Sequence, residues 1–453
     1  MTIDTDKGVS LFGTDGIRAR MGRAPLREAE LLRLGHAIAH WIEQSVSDKA
    51  HIIIAHDTRS SASYLKAMLI SSLIRYPFTI HDAGMLPTPA LALACKDKGY
   101  DVGLMLTASH NPYHDNGIKI FDQRGDKIGA NARQQIETFY DRHYASVQYD
   151  QFGTVISDPR ALHYYHEKLC SIVDQDLLKG MRIVLDGAHG AVSASAAPVL
   201  RSLGAHVIAL NCEPNGTNIN YECGAVFPQQ VAAHVVRSGA TLGCAFDGDG
   251  DRLVLVNRHG EIKDGDDILA LLLSHARYAN TQSIVGTHMS NSGLETFLLS
   301  QGKTLIRTSV GDHHIAKELK TRTLALGGEP SGHTIMAEHL SSSDALYTLL
   351  RILEVVCITH NYDLTTFTKY TQSHRTLVVQ VRVNLADDPY STIIARHQTA
   401  LGSGRLIVRY SGTQPVLRIM VEHENSAYAT TQADALANEL IAVLPTAPKE
   451  KYE

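Results

Sequence analysis

Short apolar runs that end in polar, glycine-bearing loops recur along this chain, and stretches of helical periodicity separate them. Residues 52–55, Ile-Ile-Ile-Ala, read as a buried strand ending at Asp57-Thr58-Arg59. Residues 102–106 read the same way and open into Thr107-Ala108-Ser109-His110-Asn111-Pro112. Residues 182–187 and 241–246 repeat the pattern, the latter running into Asp247-Gly248-Asp249-Gly250-Asp251-Arg252. Between the runs, Leu31, Leu34, Ile38 and Trp41 recur at three- and four-residue spacing, and a second helical stretch passes through Leu65 and Leu69. Strand, loop and helix in repetition predict parallel α/β layers and an internal repeat. A third unit is expected from about Gly265, with a helix over 268–275 and strands over 283–286 and 324–326. From about Thr371 the texture changes. Alternation in 377–383 and 417–422 predicts half-exposed antiparallel strands, closed by a helix over 428–443, hence a smaller α+β domain. After the Ser109 loop, Asn116-Gly117 reads as a turn that can double the chain back and bring Lys119 near the serine, a plain surface lysine being the alternative.

With 453 residues and 44% apolar content the chain exceeds the roughly 250–300 residues over which one core keeps growing. Four domains are expected, at 1–155, 156–257, 258–370 and 371–453. A net charge of −5, from 42 basic and 47 acidic residues, argues against a nucleic-acid or membrane-surface partner, so an anionic ligand must meet a built site. The opening Met1-Thr2-Ile3-Asp4-Thr5-Asp6 lacks the basic and apolar regions of a signal peptide, and no run approaches the ~18 apolar residues of a membrane span, so a cytoplasmic location is expected. Six cysteines without a C-x-x-C point to reduced, mostly buried thiols, and 24 histidines contain no H-E-x-x-H.

Four loops carry candidate chemistry. Ser109 stands where a strand opens into a loop; taken alone it reads equally as a turn residue or cap, and its flanks lack the G-x-S-x-G of a hydrolase elbow. Asp247, Asp249 and Asp251 put three carboxylates within five residues, on a backbone that two glycines allow to curl around a hard cation. An EF-hand is excluded, because counting from Asp247 position six is Arg252 and position twelve is Arg258. Three oxygen ligands leave room for a phosphoryl oxygen, which favours Mg²⁺ in phosphoryl transfer over structural Ca²⁺; a solvated acidic turn is the alternative. Residues 327–333 offer Glu329, Ser331 and His333 on a glycine-hinged backbone suited to sugar hydroxyls, and equally to a plain turn. Arg409, Ser411, Gly412 and Thr413 make a phosphate cradle or a structural turn. Near the N-terminus, residues 11–20 pack two glycines, a hydroxyl, Arg18 and Arg20 into a loop suited to an anion, and equally to an ordinary basic turn.

Taken together, and in this order, these loops resemble those of the α-D-phosphohexomutase family over nearly the whole chain. The Gly13–Arg18 loop, the Asn116-Gly117-Ile118-Lys119 continuation and the 214–220 loop followed by Cys223-Gly224 are most similar to members acting on glucosamine phosphates. The resemblance implies three similar mixed α/β domains plus a smaller C-terminal α+β domain around a central cleft. It implies an isomerase that moves phosphate between O6 and O1 of glucosamine through phospho-Ser109 and a bisphosphorylated sugar. It further implies catalytic roles for Ser109, Lys119, His110 and Arg252, with His333 a further acid/base candidate. One Mg²⁺ would sit on Ser109, Asp247, Asp249 and Asp251, and substrate contacts would come from Arg18, Glu329, Ser331, His333, Arg409, Ser411, Gly412, Thr413 and Arg418. A bisphosphorylated hexose would act as activator, the partner would be a small hexosamine phosphate, and the protein would be a monomer or homodimer. Ala19, His313-His314 and Gln414 depart from the family pattern, which bears on sugar preference rather than reaction type. The rival expectations are a phosphomannomutase or phosphoglucomutase of the same mechanism, a non-catalytic sugar-phosphate sensor, and a Mg²⁺-dependent phosphatase.

Overall fold

A strand covered on both faces has no polar face to alternate with, and the unbroken apolar runs of the sequence become the central strands of three sheets. The structure, a computed structural model, describes residues 11–13, 15–141, 151–410 and 415–445. The first sheet contains β1 (Ile17–Arg20), β2 (His51–His56), β3 (Thr79–Met85), β4 (Val102–Leu106), β5 (Asp115–Asp122) and β6 (Thr154–Ser157), in the order β1-β5-β4-β2-β3-β6. Strands β2, β3, β4 and β6 pair in parallel, while β5 is antiparallel to both β4 and β1. Leu31, Leu34 and Ile38 of the helix Glu28–Ser45 and Leu65 and Leu69 of the helix Ala62–Leu73 share one core with Ile52, Ile54 and Leu104 of the sheet.

The second sheet contains β7 (Arg182–Asp186), β8 (His206–Leu210), β9 (Leu242–Phe246), β10 (Leu253–Val256) and β11 (Ile262–Lys263), in the order β11-β10-β9-β7-β8. The third contains β12 (Ser283–Thr287), β13 (Thr304–Thr308), β14 (Leu326–Gly328) and β15 (Thr334–Met336), in the order β13-β12-β14-β15. Without the extra edge strands the three sheets read β5-β4-β2-β3, β10-β9-β7-β8 and β15-β14-β12-β13, the same order three times. In each, the fourth strand of the repeat runs antiparallel to the third. Antiparallel neighbours need only a short hairpin connection, whereas parallel neighbours need a crossover. The three hairpin loops are 107–114, 247–252 and 329–333, so the serine loop, the aspartate loop and the Glu329–His333 loop occupy one equivalent position in the repeat.

The chain divides into two compact units, residues 1–289 with 305–366, and residues 290–304 with 367–453. The first contains the three sheets. In the second, β16 (Thr371–Val378), β17 (Arg405–Tyr410) and β18 (Val416–His423) form an antiparallel sheet in the order β16-β18-β17, and Leu417, Ile419 and Val421 share its core with Leu436 and Leu440 of the helix Ser426–Val443. The buried carboxylate of Glu422 ties this unit together by accepting from Ser292, Gln372 and Arg405. Cys95, Cys223 and Cys244 are buried, Cys170, Cys212 and Cys357 are half-buried, and all six are free. No helix among the described residues is long and apolar enough to cross a membrane.

Several expectations need correction. Asn116 and Gly117 lie inside β5 rather than in a turn. Gly117 is required there by close approach: a Cβ would stand 2.3 Å from the Ile17 carbonyl oxygen and 2.8 Å from that of Thr107. The chain reverses earlier, in the Ser109 loop itself, and Lys119 returns toward it because β5 pairs with β4 and sets Lys119 opposite Met105. The strand expected at 377–383 begins at Thr371 and stops at Val378, where its eight-residue pairing with β18 ends. The strand expected at 324–326 lies at Leu326–Gly328, running into the glycines of the loop motif. Strand β6 pairs with β3, so the first sheet continues past residue 155, and β11 carries the second past residue 257.

Ile54 is fully buried at the centre of the first sheet. Ile54→Ala is expected to destabilise by about 2–5 kcal/mol, read as a lower urea midpoint. Val155→Ala on the exposed strand β6 is expected to change stability by less than about 0.5 kcal/mol.

Candidate active site

Ser109 is the third residue beyond the buried run of β4. Its backbone adopts φ 52°, a left-handed conformation that costs a residue carrying Cβ. That turn carries the side chain out of the hairpin, and Ser109 Oγ donates to Asp247 Oδ2 at 2.6 Å. The Ser109 N–H donates to Thr107 Oγ1 at 2.8 Å, and Thr107 Oγ1 donates to Asp57 Oδ2 at 2.7 Å. The serine loop of the first sheet thus meets the aspartate loop of the second.

Asp247, Asp249 and Asp251 are all buried, with one oxygen of each within 4.8 Å of the others. The Asp251 and Arg252 N–H groups donate to Asp247 Oδ1 at 3.2 and 3.1 Å, curling the loop around that carboxylate. Thr88 holds Asp249 twice, through its hydroxyl to Oδ2 and through its N–H to the Asp249 carbonyl at 2.8 Å. From the other side of the loop, Ser343 Oγ donates to the Asp251 carbonyl at 2.6 Å. Gly190 also approaches the loop, and a Cβ there would stand 2.3 Å from the Gly248 carbonyl oxygen.

The electrostatics follow from burying this much charge. Burial, reinforced by Asp251 and Asp249, raises Asp247 to about 7. Burial acts on Asp251 in the same direction, but Lys119 and His333 outweigh it and hold that carboxyl well below the usual range. Lys119 Nζ stands 2.8 Å from Asp249 Oδ2, 2.7 Å from Asp251 Oδ2 and 3.2 Å from Asp15 Oδ2. Burial opposes its charge, yet these three carboxylates raise its pKa well above the usual value, so the ammonium is retained. Asp15 also pairs with Arg18 and Lys127, and Lys127 reaches Asp312 at the start of the helix Asp312–Arg322. Among the described residues Asp249 Oδ1 is buried without a hydrogen-bond partner. A buried orphan oxygen beside two further carboxylates fits a hard divalent cation, which takes oxygen ligands.

The third hairpin loop closes on the same place. His333 bridges two carboxylates, with Nδ1 2.6 Å from Glu329 Oε1 and Nε2 3.1 Å from Asp251 Oδ1. Burial disfavours its charge, but Asp251 dominates and the ring is raised to about 10. Burial likewise opposes the charge of Glu329, which the His333 hydrogen bond nevertheless lowers to about 2. Glu329 also accepts from Ser331 Oγ at 2.8 Å and from the Gly311 N–H at 3.2 Å. Arg252 forms an isolated backbone bridge with His333, and its Nε lies 3.9 Å from Asp247 Oδ2. His110 is lowered to about 3, by burial first and then by Arg252 and Arg18, and its Nδ1 has no partner among the described residues.

The structure therefore brings together Ser109, His110, Lys119, Asp247, Asp249, Asp251, Arg252, Glu329, Ser331, His333 and Arg18. Arg409 and Arg418 lie in the second unit, opposite one another on β17 and β18 and both exposed. Ser411, Gly412 and Thr413 lie outside the described residues. Sequence reasoning passed over Asp15, Lys127, Asp312, Thr88 and Ser343. Asp15 stood inside the Gly13–Arg18 motif and could have been found there. The others carry no local signal, because a lysine in a turn or a threonine before a proline has no distinctive spacing.

Comparison with known proteins agrees with this geometry. Residues 9–146, 163–260 and 264–373 match the phosphoglucomutase/phosphomannomutase alpha/beta/alpha domains I, II and III, and residues 392–439 match the C-terminal domain of the same family. A phosphoglucosamine mutase of Pseudoalteromonas translucida is 35% identical over 439 residues, covering 94% of this chain and 96% of that protein. One of Rhodospirillum rubrum is 36% identical over 455 residues, covering 97% and 99%. The crystal structure of a phosphoglucomutase/phosphomannomutase family protein from Burkholderia thailandensis superposes with TM-score 0.78 at 22% identity, covering 96% of this chain and 97% of that one. Four family domains matched in order, and relatives aligned end to end, place this chain in the phosphoglucomutase/phosphomannomutase family, the α-D-phosphohexomutases.

Proposed function

We propose that the chain is a phosphoglucosamine mutase, interconverting glucosamine 6-phosphate and glucosamine 1-phosphate with Ser109 as the phosphate carrier. The observation that carries this reading is Ser109 Oγ, held 2.6 Å from the buried Asp247 carboxylate at the meeting of two hairpin loops. The near full-length relatives named phosphoglucosamine mutase support the substrate.

O6 and O1 of one hexose lie too far apart to share a phosphorus, so the phosphate needs a carrier on the enzyme. In the proposal the phosphate on Ser109 Oγ passes to the free sugar hydroxyl: the new P–O bond forms, the bond to Oγ breaks, and a bisphosphorylated sugar results. That sugar turns over and returns its other phosphate to Ser109. The hydroxyl must lose its proton as it attacks. Lys119 is ill suited to take it, because three carboxylates keep its ammonium charged, and its contribution is positive charge beside the transferring group. His110, lowered to about 3 and so a weak base, can accept a hydrogen bond from the attacking hydroxyl through Nδ1, which has no partner among the described residues, and the proton passes in net to Ser109 Oγ as its bond to phosphorus breaks. Arg252 adds charge at the aspartate loop, while Glu329 and Ser331, oriented by His333, face the sugar hydroxyls. Asp247, Asp249 and Asp251 would hold Mg²⁺, which when bound supplies neutralisation of the phosphoryl charge. By the family resemblance Arg409, Ser411, Gly412, Thr413 and Arg418 would bind the phosphate that is not reacting, and a bisphosphorylated hexose would recharge any Ser109 that has lost its phosphate.

A panel of glucosamine, glucose and mannose phosphates, assayed with catalytic bisphosphate, tests the reading. The glucosamine phosphate is expected to have the highest kcat/KM, and Ser109→Ala is expected to abolish its turnover without lowering Tm. A reversed order of sugars moves the chain to a phosphomannomutase or phosphoglucomutase, and an active alanine variant removes the carrier serine. The cation site has a test of its own. Calorimetry is expected to show Mg²⁺ binding one site per chain, with Asp249→Ala weakening it at least about tenfold through loss of a charged oxygen ligand. Unchanged binding in that variant contradicts the assignment.

A further inference from the structure

An arginine buried under a phosphate-handling loop invites assignment as a phosphate ligand, and Arg59 is not one. Its residue is 2% exposed, and all five guanidinium N–H groups are engaged within the protein. Nε donates to Asp57 Oδ2 at 2.8 Å. One terminal nitrogen donates to the carbonyls of Pro112 and, at 3.0 Å, Asp115. The other donates to the carbonyls of Ser109 and Asn111, both at 2.9 Å. Three carbonyls of the serine loop and that of Asp115, the first residue of β5, therefore converge on one cation, and no donor remains for substrate.

Two of those carbonyls are gripped a second time from the second repeat. Asn220 Nδ2 donates to the Ser109 carbonyl at 2.9 Å and to that of Asn111 at 3.1 Å. A carbonyl oxygen has two lone pairs, so both oxygens are fully used. Pulling these oxygens inward fixes the peptide plane that follows Ser109 and the one that follows Asn111, and this helps hold the residue at φ 52°, with Oγ directed at Asp247. Without the anchors that conformation rests on the Ser109 N–H and Oγ bonds alone, and the loop relaxes more readily toward negative φ. The same Asp57 carboxylate that pairs with Arg59 also accepts from Thr107 Oγ1, which in turn accepts the Ser109 N–H, so the residue is fixed through its N–H as well as its carbonyl.

We propose that Arg59 and Asn220 are positioning residues that clamp the Ser109 loop in its left-handed conformation, so that the serine delivers and receives phosphate in line with the aspartate loop. The inference rests on Ser109 being the phosphate carrier. It differs from a simple charge-balancing role for Arg59 beside Asp57, because lysine satisfies the charge and offers at most three donors from a single nitrogen.

Arg59→Lys and Asn220→Ala in the full chain test this with two readouts. The kinetic readout is expected to show kcat reduced about a hundredfold in Arg59→Lys and about tenfold in Asn220→Ala, in both directions, with KM within about twofold of wild type, since misplacement of a reacting group acts on turnover. The second readout is amide hydrogen exchange over residues 109–111, expected to quicken about tenfold in Asn220→Ala, the effect of roughly one net hydrogen bond. Wild-type kcat in Arg59→Lys reduces Arg59 to a counter-ion and overturns the clamp, as does a rise in KM at constant kcat. If Arg59→Lys does not fold, Asn220→Ala decides alone, since it changes no charge, and unchanged kcat with unchanged exchange overturns the proposal. A wild-type protein inactive on hexose phosphates overturns the functional reading instead, and the exchange measurement then still reports on the clamp.

Discussion

Three carboxylates buried within 4.8 Å of one another repel, and the rest of the site is arranged to balance that repulsion. Lys119 lies against Asp249 and Asp251, and His333 carries a second positive charge to Asp251. Asp15 then balances Lys119 and Lys127, and Lys127 reaches Asp312. The chain of alternating charges links the first sheet's loops to the second and third. Removing one member leaves a buried charge without its partner, so the loops are ordered as a group. Among the described residues Asp249 Oδ1 is left without a hydrogen-bond partner in this network, and that is where a cation would add most.

The repeated sheet explains how three separate loops come to share one site. In each repeat a short hairpin joins the third and fourth strands, and the candidate residues lie on it: a serine in the first, three aspartates in the second, and Glu329, Ser331 and His333 in the third. The repeats differ in what the hairpin displays rather than in how it is held. The Ser109 loop holds a residue with Cβ at positive φ, anchored from two repeats at once.

Much of this was legible in the chain itself. The apolar runs at 102–106 and 241–246 are covered on both faces, so their hydrophobicity alone marked them as central strands, and the loops that follow them were visible as polar interruptions. Asn116-Gly117 misled because a pair favoured in turns is also what a strand requires where backbone presses on it, and local composition does not distinguish the two. The strand expected at 377–383 was misplaced because alternation continued beyond the partner strand, and pairing rather than pattern sets where a strand ends. Lys119 was found for the wrong local reason. Lys127, Thr88, Asn220 and the five-donor role of Arg59 stayed hidden, since each acts on residues far away in sequence. A hydrogen bond between residues 109 and 220 leaves no mark on the neighbours of either.

The central claim is that Ser109 carries the transferred phosphate, and the most direct test is to follow that phosphate. Enzyme phosphorylated on Ser109 with isotopically labelled phosphate, mixed with one equivalent of unlabelled glucosamine 6-phosphate, is expected to pass the label to a bisphosphorylated sugar within a single turnover and then to hexosamine monophosphate. Label that remains on Ser109 while product accumulates, or that leaves only as inorganic phosphate, would contradict the account.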